Sequence, residues 1–258
     1  MNSRAHSSRL AACGRPLAAF TLLEFLVVLV MVGLLLTLTL LPALARSSDQ
    51  GTRTVCVNNL RQLGRASQMY ANDNSDYFGF PNWGNTYQGW LYKPVGGLPP
   101  NMDTVPYRSD PLQAYRTGLW FHYVQDRSVY QCPVDLESRY FKNRENKLSS
   151  YVVNGAVCGF NNQNRSCKIT DVWNPECYLL WQPDEGIGNP PIGAFAYNDA
   201  SSYPDKNEGL GKLHTINGTD LVTVSGSVRF STAQKLVAES TSLGRSLVWW
   251  SPFTSTGR

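Results

Sequence analysis

Charge is scarce in this chain, and where it is missing is informative. Only 16% of the 258 residues are charged, and none lies between Phe25 and Leu41. The surplus of 23 Lys and Arg over 19 Asp and Glu is too small for an electrostatic footprint on nucleic acid. Histidine is sparse, with three in all, and no C-x-x-C occurs, which argues against a zinc knuckle or a thioredoxin-type pair. No G-x-S-x-G motif is present. Ser225 stands in Val-Ser-Gly-Ser, so Ser225, His214 and Asp220 read as hairpin and turn residues rather than a catalytic set. No internal repeat interrupts the chain. With 42% hydrophobic and 12% aromatic residues it can bury a core, which excludes disorder of the whole.

What is present is a gradient. The first 19 residues carry only basic charges, Arg4, Arg9 and Arg15. An apolar run follows from Phe20 to Ala45, broken by Thr21, Glu24, Thr37 and Thr39, and then a polar body rich in Asn, Ser, Tyr and Trp. Basic head, apolar segment and polar body in this order read as a membrane-targeted chain with its N-terminus cytoplasmic and its body exported. The apolar run reaches the roughly 20 residues that cross a bilayer core. A secretory signal peptide cut after Ala45 is the competing reading, since Ala43-Leu44-Ala45 has the small-x-small form. It would release a soluble periplasmic enzyme. The run exceeds the usual h-region of about 7–15 residues, and a disposable peptide has no use for Glu24. A carboxylate in an apolar helix costs about 2.5–3.5 kcal/mol near a membrane centre, so it is expected to have a partner.

Ala19-Phe20-Thr21-Leu22-Leu23-Glu24-Phe25, behind a short basic leader, resembles the processing motif of type IV prepilins and type II secretion pseudopilins. The resemblance implies cleavage between Ala19 and Phe20 by prepilin peptidase and N-methylation of Phe20. Ala19 stands where that family usually has Gly. It further implies that Glu24, with Thr21 beside it, meets the N-terminal amine of a neighbouring subunit, two charges that are costly alone becoming tolerable as a pair. Cys56-Val57-Asn58-Asn59-Leu60-Arg61-Gln62-Leu63-Gly64, Cys132-Pro133-Val134-Asp135 and Ser150-Tyr151-Val152-Val153-Asn154-Gly155 resemble segments of pseudopilin-like proteins abundant in Verrucomicrobia, Lentisphaerae and Planctomycetes. The implied product is a structural, non-enzymatic subunit of a type II secretion pseudopilus or type IV pilus-like filament. Its implied partners are other pilin-like subunits and the bacterial inner membrane, with no nucleic acid. Major pseudopilins commonly bind Ca²⁺ in a C-terminal loop, and Asp199, Asp205 and Glu208 are the residues offered here for such a site; no other cofactor is expected.

The residues also predict an organisation. Residues 1–19 form the leader, 20–45 the transmembrane and assembly helix, 46–76 an exported amphipathic helix, and 77–258 a β-rich periplasmic domain with an aromatic insertion over 78–126. Leu60, Leu63, Ser67 and Tyr70 recur at helical steps, and Asn72-Asp73-Asn74-Ser75-Asp76 is a stop signal. Tyr151 to Val157, Cys177 to Trp181, Gly193 to Tyr197 and Leu221 to Phe230 read as β-rich runs, the last turning at Ser225-Gly226, and Ser231 to Glu239 as a short helix. The expected fold class is therefore α+β, pilin-like: a long N-terminal transmembrane-plus-amphipathic helix packed on a small antiparallel sheet. Five of the six cysteines lie beyond the leader, and the candidate bridges are Cys158 with Cys167 and Cys56 with Cys132. Trp83, Tyr87, Trp90 and Tyr92 are either a satellite core or a stacking surface. In the second case Trp83 and Trp90 would contact polysaccharide or a secreted substrate, and the chain would be a periplasmic binding module using the pilin helix as anchor.

Overall fold

A computed structural model describes residues 21–160, 164–183, 199–205, 208, 211 and 213–258, with backbone alone over 37–49. The chain divides into two units, Met1–Ser47 and Ser48–Arg258. Helix α1, Leu22–Asp73, contributes to both.

In the first unit every described side chain of α1, from Leu22 to Leu36, is exposed. Even the least exposed of its large hydrophobics, Val32, keeps 46% of its surface open. The expected fold class is corrected here in two respects. Among the described residues no helix is long and apolar enough to cross a membrane, which takes roughly 20 consecutive apolar residues. The sheet, moreover, is not antiparallel throughout.

In the second unit the helical stripe does what its spacing predicts. Cys56, Leu60, Leu63 and Ser67 are buried, and Tyr70 packs against the core from its edge. The helix ends where Ser75 and Asp76 take positive φ, 56° and 68°, and the Asp76 amide turns back to the Ala71 carbonyl. The sheet has the order β3-β1-β2-β4-β5, built from β1 Val152–Asn154, β2 Tyr178–Trp181, β3 Ser201–Ser202, β4 Gly218–Thr223 and β5 Val228–Thr232. Strands β1, β2, β4 and β5 pair antiparallel in succession, whereas β3 pairs parallel to β1 through Val153 with Ser201. The mixed edge follows from the chain returning to β1 over a long connection instead of a hairpin. Of the predicted strands, Gly193 to Tyr197 lies outside the described residues.

Four short helices, α2 Leu112–Tyr115, α3 Phe121–Val124, α4 Pro133–Leu136 and α5 Arg139–Asn143, punctuate the segment before the sheet. The last, α6 Ala233–Thr241, starts two residues later than predicted, with the Thr232 hydroxyl accepting from the Lys235 amide at 3.2 Å. The region 78–126 is core more than decoration: Trp90, Tyr92, Tyr115 and Trp120 are buried, and the Trp90 and Trp120 rings lie 4.9 Å apart.

Helix α1 lies directly on the β4–β5 hairpin, and Gly64 makes that approach possible. A Cβ there would meet the Gly226 carbonyl oxygen at 2.8 Å and Val222 Cγ1 at 2.9 Å. Gly226 itself turns the hairpin at φ 78°, and the Gln68 amide donates to the Val224 carbonyl beside it at 2.5 Å. Gly64→Ala gains up to about 1 kcal/mol of helix propensity but forces apart two backbones, at about 1–3 kcal/mol. A lowered urea midpoint is the expected outcome; a midpoint at or above the wild-type value would contradict this packing account.

Candidate functional site

Two constellations carry chemistry. The first is at the start of α1. Glu24 Oε2 accepts from the Thr21 amide at 3.0 Å and from its hydroxyl at 2.9 Å, while Thr21 Oγ1 accepts from the Glu24 amide at 3.2 Å. This reciprocal arrangement is a capping box, written in the sequence as Thr-x-x-Glu, and it satisfies backbone donors that the first turn leaves open. Glu24 thus has a partner within its own chain, a role that its place in the apolar run does not suggest. Ala19 and Phe20, the predicted processing residues, lie outside the described residues.

The second constellation is inside the body. Cys56 comes from α1 and Cys132 from the residue before α4. His214 comes from the segment leading into β4. Their sulfur and imidazole atoms all lie within 4.8 Å of one another, and Cys132 Sγ is 3.3 Å from His214 Nε2. Both cysteines are buried and His214 is half-buried. The Cys-Pro step fixes Cys132: Pro133 starts α4 and keeps the preceding residue extended, at φ −88° and ψ 126°. The Cys132 amide donates to Ser150 Oγ at 2.9 Å, and Ser150 Oγ donates to Asp135 Oδ2 at 2.6 Å. Asp135 is paired in turn with Arg144, both buried, at 2.5 Å.

The electrostatics follow from the contacts. A hydrogen bond from Cys56 holds the Cys132 thiol well below its ordinary range, and His214 and the Asp135 amide add to this against the cost of burial. The same pairing, together with burial, pushes Cys56 upward. Burial raises the Asp135 carboxyl, opposed chiefly by the Arg144 charge and the Ser150 hydroxyl. Tyr151 is fully buried with its hydroxyl against Cys56 and Asn59, yet it completes no hydrogen bond. Asn59 donates instead to the carbonyls of Ser128 and Gln131, at 3.3 and 3.0 Å, which ties α1 to the segment before Cys132. A turn away, Arg53 grips Asp220 of β4 through two bonds at 2.7 and 3.0 Å.

The other predicted residues are placed as follows. Cys158 and Cys167 are buried without a disulfide, as are Cys56, Cys132 and Cys177. Among the described residues neither predicted bridge is therefore formed, although the structure does bring Cys56 and Cys132 together. Asp199 spends both oxygens on tethers, accepting from the Gly84 amide at 2.7 Å and from the Ser201 amide and hydroxyl at 2.9 and 2.6 Å. Glu208 accepts from the Tyr203 amide at 2.7 Å, and Asp205 accepts from the Glu208 amide at 3.2 Å. Burial pushes the Glu208 carboxyl up to about 7. These three acids hold a loop, and among the described residues it is Cys56, Cys132 and His214 that gather as metal-ligating groups. Trp90 is fully buried with its indole N–H donating to the Ala200 carbonyl at 3.1 Å, which removes it as a stacking surface. Trp83 is half-buried, edge-on to Phe160. Ser225, His214 and Asp220 engage separate partners, respectively Thr223, Cys132 and Arg53. No protein-family profile, curated protein or solved structure matches the chain.

Proposed function

We propose that the chain is a pilin-like structural subunit. Its leader is removed by prepilin peptidase between Ala19 and Phe20, Phe20 is methylated, and the subunit enters a pseudopilus or pilus-like filament through its N-terminal apolar segment. The leader faces the cytoplasm and the body the periplasm, with the inner membrane as the place of processing.

The observation that supports this reading is the wholly exposed apolar face of α1 from Leu22 to Leu36. Soluble monomers do not leave so large a contiguous apolar surface in water, so that face needs a cover from outside its own chain. Parallel copies of the same helix supply one, with a carboxylate at the head of each. Because the leader holds Arg4, Arg9 and Arg15 and no acid, its removal also brings basic and acidic residues close to parity.

N-terminal sequencing with intact-mass measurement of the mature protein checks the reading directly. The expected result is a chain beginning at Phe20 and heavier by one methyl group than its sequence requires. A chain beginning at Arg46 would overturn it in favour of a secreted soluble protein.

A further inference from the structure

We propose that Cys56, Cys132 and His214 form a binding site for a thiophilic divalent cation, zinc by its chemistry, which pins α1 to the body of the protein. The proposal does not depend on filament assembly. Three donors from sequence-distant segments converge within 4.8 Å of one another. A tetrahedral zinc with bonds of about 2.3 Å to sulfur and about 2.0–2.1 Å to nitrogen sets its sulfur and nitrogen ligands about 3.5 Å apart. Cys132 Sγ and His214 Nε2 stand 3.3 Å apart, already close to that edge. The set contains two sulfurs and one imidazole and no carboxylate, which selects zinc over calcium or magnesium. Two thiolates and a neutral imidazole neutralise a dication, so the loaded site can stay buried at no net charge.

The surroundings provide the outer contacts that such a site uses. The Tyr151 hydroxyl, fully buried and without a hydrogen bond, faces the Cys56 sulfur and is placed to donate to a thiolate there. The Asp135 amide faces Cys132. The half-buried edge of His214 is the side from which a cation can arrive, and the fourth position is left to water. A plain disulfide between Cys56 and Cys132 would make no use of the imidazole or of the open Tyr151 hydroxyl.

The test uses the full chain, reduced and freed of metal by a chelator, titrated with cobalt(II) and then zinc. Expected are a thiolate-to-cobalt charge-transfer band with intense tetrahedral visible bands, saturating at one cobalt per chain and abolished by zinc. His214→Gln keeps both thiols and leaves the metal-free melting temperature near that of the wild type. It should weaken zinc binding by at least about 100-fold, the upper end of what losing an outer contact costs. Absence of the charge-transfer band, or unchanged zinc affinity in His214→Gln, overturns the proposal. So does protein isolated without reductant that carries a Cys56–Cys132 disulfide and no zinc.

Discussion

Replacing Arg144 with Leu is expected to destabilise the body by about 3–5 kcal/mol, the cost of leaving a buried carboxylate without its countercharge. Asp135 and Arg144 have 0% and 1% of their side-chain surface open, so water cannot substitute for the lost guanidinium. The Ser150 hydroxyl remains on Asp135 Oδ2 at 2.6 Å and the Ser138 hydroxyl on Oδ1 at a long 3.4 Å, but neither brings a positive charge. The loss should shrink as the pH falls, because protonating Asp135 removes the uncompensated charge, whose pKa the substitution raises further. Adding Asp135→Asn to Arg144→Leu should recover part of the stability for the same reason. Urea unfolding of the single and double variants at two pH values measures all of this. A single variant within about 1 kcal/mol of wild type would mean that the pair does not carry the energy assigned to it.

The second large effect is expected at Glu24, where two roles must be separated. Glu24→Leu removes the capping box and the charge together. Glu24→Gln keeps a side chain that can still return to the Thr21 amide but carries no charge. Under the proposed processing, with its cut before Phe20, both variants should be cleaved at the same site. Both should be excluded from filaments by more than about 100-fold, the equivalent of a broken buried charge pair. Quantitative recovery of subunit from sheared filaments gives the comparison. Normal incorporation of Glu24→Gln alongside exclusion of Glu24→Leu would assign Glu24 to helix capping alone and refute the intersubunit pairing.

The parts of the fold that were legible in the sequence are those where periodicity and burial coincide. Leu60, Leu63, Ser67 and Tyr70 announce a buried helical stripe at three- and four-residue steps, and α1 buries it. The Ser225-Gly226 turn announces the β4–β5 hairpin, which forms with Gly218 opposite Thr232. Strand β3 was illegible because it is two serines, with neither alternation nor β-branched residues to mark it. Trp90 was ambiguous for a different reason. Gly and Asn neighbours suggest an open loop, yet the ring is enclosed by Trp120 and Tyr130, both distant in sequence.

The interior site was harder still. Cys56 and Cys132 are a candidate pair along the chain, but nothing there points from either to His214, which lies two residues before the exposed Ile216. Asp135 and Arg144 look like ordinary surface charges, since such residues are seldom buried and only a partner makes burial tolerable. The capping box is a local signal, Thr-x-x-Glu over four residues at the head of an apolar run.

The clasp between α1 and the hairpin has a consequence for how the chain is made. The groups that meet Gly64, Gln68 and Arg53 of α1, namely Val222, the Val224 carbonyl, the Gly226 turn and Asp220, are all specified in the last quarter of the sequence, whereas Ser128, Gln131 and Cys132, which meet Asn59 and Cys56, are specified earlier. A chain emerging N-terminus first can therefore seat α1 on the 128–132 segment before the clasp on Gly64 and Gln68 exists, and that clasp closes only when β4 and β5 arrive. Until then the Leu22–Leu36 face of the helix and its hairpin-facing side around Gly64 are open at the same time. Whatever shields the first of them acts before the second has found its own cover.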